Sequence, residues 1–210
     1  MTTLAELVAS VITITNRPDL LNETTLAVKK ATLKEHNAID YPRDLVKTSA
    51  IALDNTSALS RYSLSLATLG IYTLVRKIDS IAEIAETSYS ASLSRSGYYG
   101  TLQFTELAPT ALFDEYNLEK LDYYYRQGNS IELVASRQVN SIVIRYYARP
   151  LVGDANYSSW IADLYDYVIY EAAAADIFKL IGKADEAQTY RAKSQDNRMD
   201  ILKSEIGSIG

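Results

Sequence analysis

The chain opens with apolar residues at steps of three and four: Leu4, Leu7, Val8, Val11 and Ile14 fall on one stripe of an α-helix, and another element must cover it. The pattern breaks at Asn16-Arg17-Pro18-Asp19. A residue before proline avoids the α region, whereas Pro18 suits a turn or the first turn of a helix, so a second helix is predicted to start near Pro18. In that helix Leu21, Val28, Ala31 and Ile39 share a rough face with Thr24, Thr25 and Thr32. Lys29, Lys30, Lys34 and Glu35 read as solvated, and Tyr41-Pro42-Arg43-Asp44 ends the run.

From Leu45 to about Pro150 the period shortens towards two. LVKTSAIAL, LSRYSLSLATL and IYTLVRKI interleave small hydroxyl residues with apolar ones, as half-buried strands do. DYYYRQ and SIELVA flank Gly128-Asn129, which predicts a hairpin, and NSIVIRYYARP supplies a further strand. An antiparallel sheet is the expectation. PTALFDEYN, opened by Pro109, reads as a short helix, and the Ser-rich stretch Ile81 to Ser96 has no clear period. Beyond Pro150 the helical period returns. Ser158 or Ser159 is placed to cap a helix that Gly182 ends, with Ile161, Leu164, Tyr165, Val168, Ala172 and Ala175 along one stripe. The bulk-free run Ala172 to Ala175 lets a neighbouring helix approach closely. A last, highly charged helix runs from about Lys183 to Ile206 with Ala187, Tyr190, Met199, Leu202 and Ile206 as its sparse apolar content.

Each of these elements needs a partner for its apolar side. The simplest arrangement is an α+β fold: residues 1–44 and 151–210 form one helical bundle, and residues 45–150 make a mainly antiparallel β insertion with one short helix.

Composition narrows the function. A chain of 210 residues that is 48% hydrophobic buries a substantial core. The lack of cysteine excludes disulfides and thiolate metal sites. MTTLAELVAS lacks the basic start and long apolar stretch of a signal peptide, and no apolar run reaches the ~20 residues of a membrane span. The expected setting is therefore the cytoplasm of the producing cell, with no membrane partner. A net charge of −5 argues against a general nucleic-acid binder.

Candidate chemistry is sparse. His36 is the only histidine and reads as a surface or capping residue. Asp163 with Asp166, and Glu83 with Glu86, sit three apart and read as solvated pairs. No phosphate-binding glycine motif occurs, and Gly97-Tyr98-Tyr99-Gly100 reads as a loop. No catalytic residue, cofactor or metal ligand is assigned. Tyrosine is the remaining signal, at 17 against three Phe and one Trp. Its large ring and polar tip suit subunit contacts, and the two-residue period sends Tyr123-Tyr124-Tyr125 and Tyr146-Tyr147 to both faces of their strands. Tyr123, Tyr125, Tyr146 and Tyr147 are the candidate subunit-interface residues.

Three segments, ITNRPDLLNETTLAVKKATLKEHNAIDYPRDL, DEYNLEKLDYYYRQGNSIEL and SSWIADLYDYVIYEAAAADIFKLIGKADEAQTY, together resemble the head-to-tail adaptor (connector) proteins of tailed, in particular short-tailed, bacteriophages. The likeness covers nearly the whole chain apart from Asn55 to Ser96. It implies a structural virion protein, not an enzyme, that assembles as a ring, usually dodecameric, beneath the portal protein. Such a ring carries tail or nozzle proteins and leaves a channel through which DNA passes as non-specific cargo. It further implies that the C-terminus docks on the portal, which makes Met199, Ile201, Leu202, Ile206 and Ile209 a candidate docking arm. Two other classes fit the same composition: a tail-tube or nozzle subunit, and a hydrolase using Asp163, Asp166 or Glu171. A Tyr-lined carbohydrate-binding module is weakened by the single Trp.

Overall fold

In the computed structural model, which describes residues 1–48, 50–53, 61–84, 102–108 and 121–207, Thr3 starts helix α1 (Leu4–Thr15) through a capping box. Its hydroxyl accepts from the Glu6 amide, and the Glu6 carboxylate accepts from the Thr3 amide at 2.7 Å. Those hydrogen bonds hold the Glu6 carboxyl below its ordinary range. Asn16 ends α1 in the left-handed conformation that asparagine tolerates, its amide bonded to the Ile12 carbonyl. Pro18 then opens a one-turn 3-10 helix, Pro18–Leu20, braced by the Arg17 guanidinium holding both Asp19 oxygens.

Helix α2 (Leu21–Ala38) buries Thr24, Ala27, Val28, Ala31, Thr32, Glu35 and His36. Two expectations fail here. Leu21 is exposed, and Glu35, read as solvated, is only 1% exposed. The reason is positional: Thr24, Val28, Ala31 and Glu35 repeat at four, three and four, so Glu35 lies on the covered stripe whatever its charge.

Ser159 caps helix α3 (Trp160–Leu180) by accepting from the Ala162 amide. Non-helical torsions at Tyr165 interrupt α3, which explains why the single-period stripe is only partly right: the break resets the phase, leaving Leu164 exposed while Ile161 and Ala162 before it and Val168 and Ile169 after it are buried. Ala173, Ala174 and Ala175 are fully covered, and α3 touches the other three helices. Gly182, with φ +78°, provides the turn into α4 (Ala184–Gly207), with the Lys183 amide returning to the Phe178 carbonyl. On α4 the covered positions are Ala187, Ser194, Ile201 and Glu205. Between them Arg198 grips Glu35 with two hydrogen bonds of 2.6 Å.

The intervening segment is a mixed, mostly antiparallel curled sheet, so the protein as a whole is α+β. Its strands are β1 (Leu45–Lys47), β2 (Ile51–Ala52), β3 (Arg61–Ser65), β4 (Val75–Glu83), β5 (Gln103–Glu106), β6 (Tyr123–Gln127), β7 (Ser130–Val134) and β8 (Ser141–Ala148). The order is β1-β8-β4-β5-β6-β7-β3, with β2 also on β8 and, among the described residues, only β5–β6 parallel. Gly128, at φ +56°, and Asn129 turn the β6–β7 hairpin where the sequence places it. The strand expected from Ile71 starts later, at Val75, because Ile71 and Leu74 form hydrogen-bonded turns. Of the Ser-rich stretch, Ile81 to Glu83 complete β4, and residues 85–96 lie outside the described residues, as does the short helix expected at 109–117. A small hairpin of β9 (Leu151–Val152) and β10 (Tyr157–Ser158) precedes α3.

The chain divides into two compact units, residues 1–44 with 149–210 and residues 45–148. Each has its own core. Leu7, Val11, Val28, Ile161, Ile169 and Ile177 centre the helical one; Leu66, Ile81, Ile131, Leu133, Ile142 and Ile144 centre the sheet's.

Arg198→Met strands the buried Glu35 carboxylate, so it is expected to cost about 3–5 kcal/mol in urea unfolding, whereas the apolar pair Glu35→Leu with Arg198→Met recovers most of that loss.

Candidate functional site

Where α2 ends, the turn Tyr41-Pro42-Arg43-Asp44 brings a carboxylate back to the helix it has just left. Asp44 receives His36 Nδ1 at 3.0 and 3.1 Å, and Trp160 Nε1 donates to the same carboxylate at 2.8 Å. A carboxylate only accepts, so Nδ1 carries a proton towards Asp44, while Nε2 lies 2.9 Å from Ser159 Oγ on the other side of the ring. The bland expectation for His36 is thus overturned: it is 1% exposed, one helical position past Glu35 on the covered face.

Asp44, His36 and Ser159 are connected in the same order as the carboxylate, imidazole and hydroxyl of an acyl-transfer triad. Their surroundings give them another role. Ser159 is 3% exposed, and its oxygen already accepts the Ala162 amide as the cap of α3. The rings of Tyr41 and His36 meet Trp160 edge-on, and the Arg43 guanidinium lies 5.4 Å over the indole. Arg43 also pairs with the buried Glu205 of α4 at 2.9 Å. An acyl substrate needs its carbon near a reachable hydroxyl, and here the hydroxyl is enclosed. The network joins α2, the turn after it, α3 and α4.

Tyr41 sits within this cluster at 1% exposure, and its hydroxyl has no hydrogen-bond partner among the described residues. Burial, and next the neighbouring Glu35 carboxylate, push its phenol up to about 12. The pair Glu35–Arg198 raises the Arg198 guanidinium further, first through that hydrogen bond.

The carboxylates considered for hydrolysis are not brought together as a site. Asp163 is exposed and accepts from the Thr2 amide, Asp166 is exposed, and Glu171 accepts from Asn197. Glu83 pairs with Arg137 and accepts from the Leu102 amide, while Glu86 lies outside the described residues. Among the described residues no group of three or more His, Cys, Asp or Glu is arranged to hold a metal ion, and no helix is long and apolar enough to cross a membrane.

The candidate interface tyrosines divide by face. Tyr123 and Tyr125 are half-buried on the outer side of β6, their rings stacked 6.4 Å apart, with Tyr124 between them in the core. Burial pushes the Tyr124 phenol well up. Tyr147 is half-buried on β8. Tyr146 is a correction: at 5% exposure it packs inward with Ile142 and Ile144, the alternate positions of the same strand, and offers no surface. The C-terminal arm needs a similar correction. Residues 199–207 continue α4, with Met199 exposed, Leu202 half-buried and Ile201 in the helical core at 1% exposure. Ile206 lies on the same helix, and Ile209 is outside the described residues.

Comparison of the chain with protein-family models and with curated proteins yields no match.

Two outcomes test the network. Ser159→Ala removes a cap and the His36 partner, and is expected to lower unfolding free energy by about 1–2 kcal/mol, while a fluorophosphonate probe leaves Ser159 of the folded wild type unlabelled; rapid labelling would restore a catalytic role. For Tyr41 the folded phenol titrates above the unfolded one, so its stabilisation is complete below about pH 10 and is lost as pH rises through about 12. Tyr41→Phe should stay within about 1 kcal/mol of wild type at pH 7 and show a smaller alkaline loss in melts between pH 9 and 11.

Proposed function

We propose that this chain is a head-to-tail adaptor of a tailed bacteriophage, a structural subunit that forms a ring under the portal protein, carries tail or nozzle proteins and surrounds the channel through which the genome leaves. The virion would be its place of work. One observation carries the reading. The short segments that resemble such adaptors fall on the joints of the helical unit: NRPDL holds the left-handed exit of α1 and the Arg17–Asp19 clamp, YPRDL supplies Tyr41, Arg43 and Asp44, and SSWIA supplies Ser159 and Trp160. A likeness confined to freely exchangeable surface positions would carry little. A likeness at residues that fix how four helices meet supports the reading more than one at surface positions does.

Ring formation needs a heterologous contact repeated by rotation until it closes. Exposed or half-exposed side chains suited to contact are present in both units, among them Tyr123 and Tyr125 in the sheet and Leu164 and Met199 on α3 and α4. Because Ile201 is part of the helical core, portal docking by the C-terminus falls to the exposed positions of the last turns of α4 and whatever follows them.

The decisive experiment mixes the purified chain with the portal ring of the same virus and weighs the product by native mass spectrometry. A stable complex with one chain per portal subunit is expected. Failure to associate, or a copy number unrelated to the portal's symmetry, would remove the adaptor reading and favour a tail-tube or nozzle subunit in the second case.

A further inference from the structure

Two faces of the helical unit are left uncovered within the chain, and they differ in charge. On α2 the positions opposite the core-facing Val28 and Glu35 are Leu26, Lys30, Leu33 and Asn37, with Lys34 at their edge. Leu26 is 52% exposed and Leu33 half-buried, while Lys30 and Lys34 are exposed and pair with no carboxylate among the described residues. An open hollow lined by Lys30, Leu33, Lys34, Asn37 and Ala38 runs along this side, and Lys29 beside it pairs with Asp154. All accessible charge from Leu26 to Ala38 is therefore positive, because Glu35, the one carboxylate in that stretch, is buried against Arg198.

The second face lies where α3 and α4 meet on the side away from α2. Adjacent residues of α4 divide the two sides: Arg198 turns to Glu35 of α2, and Asn197 donates to Glu171 of α3 at 2.8 Å. On α3 the division is the same, since Ala172 borders the crevice between α2 and α4 and Tyr170, two residues earlier, falls on the opposite side of the helix. Near Glu171 stand Tyr167 and Tyr170, both half-buried, with Asp166 exposed and Asp200 contributed by α4. Burial pushes both phenols up, and the carboxylates of Asp166 and Glu171 add to it at each ring, that of Asp200 at Tyr167. The Tyr165 ring meets that of Tyr167 edge-on at 6.3 Å. Two lysines stand at the margin: Lys203 pairs with Asp200 at 3.1 Å, both side chains well exposed, and Lys193 lies 4.9 Å over the ring of Tyr190. Asp166 and Glu171 have no cation partner among the described residues.

We propose that these are the two halves of one contact, in which the Leu26–Lys34 face of each chain seats on the Tyr167–Tyr170 face of a second copy. Three features select a second copy as the occupant. The charges are complementary, unpaired lysines on one face and unpaired carboxylates on the other, which orients the approach and excludes like faces. Each face also has an apolar or aromatic centre with charge around it, Leu26 and Leu33 on one and two tyrosine rings on the other, which is the layout of a protein contact. Finally, the faces lie on different sides of one unit, so the contact is head-to-tail and leaves a free half at each end until rotation closes it. A nucleic acid would suit the lysines alone and leave the leucines and the tyrosine face uncovered. The inference names the contact by which the adaptor ring would close, and rests on the adaptor reading only for closure and copy number.

Because the chain has no cysteine, single introduced cysteines report the contact. Full chains carrying Lys30→Cys or Lys34→Cys are mixed with chains carrying Asp166→Cys or Asp200→Cys and oxidised with copper phenanthroline. Each mixture is treated both free at high concentration and on the portal ring, and linked dimers are measured on non-reducing gels. At least one of the four mixtures is expected to give severalfold more dimer than either of its chains alone, and than the same chains mixed with Arg61→Cys, an exposed position on β3. Adding Leu33→Glu to the lysine-face chain should cut that yield severalfold, with thermal melts showing the fold retained, and raised salt should lower it too. No dimer above the Arg61→Cys level in any mixture, free or on the portal, would overturn the inference. Equally strong links within a single variant would overturn it as well, by showing a two-fold contact of like faces. Links in the free chain without portal binding keep the contact and remove the adaptor reading; one chain per portal subunit without links keeps the adaptor reading and removes this contact.

Discussion

The helical unit depends on one carboxylate being returned to the helix that precedes it. Asp44 closes back on His36 eight residues earlier and at the same time receives the indole of Trp160, more than a hundred residues later, while His36 reaches on to the cap of α3. Remove that junction and the first two helices have apolar stripes but no fixed register against the last two. Hydrophobic burial supplies most of the driving force for such a unit, yet it is non-directional. Direction comes from hydrogen-bonded groups that accept only one arrangement, and Glu35–Arg198 and Arg43–Glu205 repeat the device from α2 and its following turn to α4. A buried ion pair such as Glu35–Arg198 adds little net stability compared with apolar substitutes but accepts one geometry, while the Arg43 end of the second pair is half exposed.

The features of the sequence that carried over to the structure were those set by backbone period and turn chemistry. The stripe of α1, the punctuation at Asn16 to Asp19, the Ser159 cap, the Gly182 stop and the Gly128-Asn129 hairpin each follow from local rules, and the terminal-helix, central-strand order gave the α+β class. What the sequence reading missed was polar residues with non-local partners. The chemistry of Glu35 favours solvent and that of His36 a surface or capping place, but their spacing from Val28 and Ala31 puts both on the covered stripe; a charge at a stripe position is the signal, and the partner of Glu35 comes from α4, 163 positions away. The same holds for Tyr146, where strict alternation with Ile142 and Ile144 was a better guide than the aromatic pair it belongs to. The break at Tyr165 had no proline or glycine to announce it.

The sheet illustrates how a register irregularity alters which side chains meet. Read as a regular strand, the dipeptide Arg76-Lys77 would place its two charges on opposite faces, yet the Arg76 guanidinium lies 5.4 Å and the Lys77 ammonium 5.7 Å from the centre of the Tyr147 ring. Two slips of pairing against β8 change that distribution without any change of composition. Such a feature is invisible to pattern analysis, because bulges are fixed by what the neighbouring strand does.

The pairing of Leu45 with Tyr147 has a consequence for how the chain reaches its fold. It sets the first and last strands of the insertion side by side, so that the insertion's two ends, separated by roughly a hundred residues along the chain, lie about 5 Å apart once the sheet has formed. For the helices outside, a folded sheet is then equivalent to a tight connection, and the entropy of closing a long loop has already been met by strand pairing. During synthesis the sheet's residues are complete before α3 and α4 emerge, and at typical elongation rates they occupy the ribosome for about 5–20 s. With Leu45 paired to Tyr147, the folded insertion counts for the helices outside it as a connection of hairpin length, not of about a hundred residues.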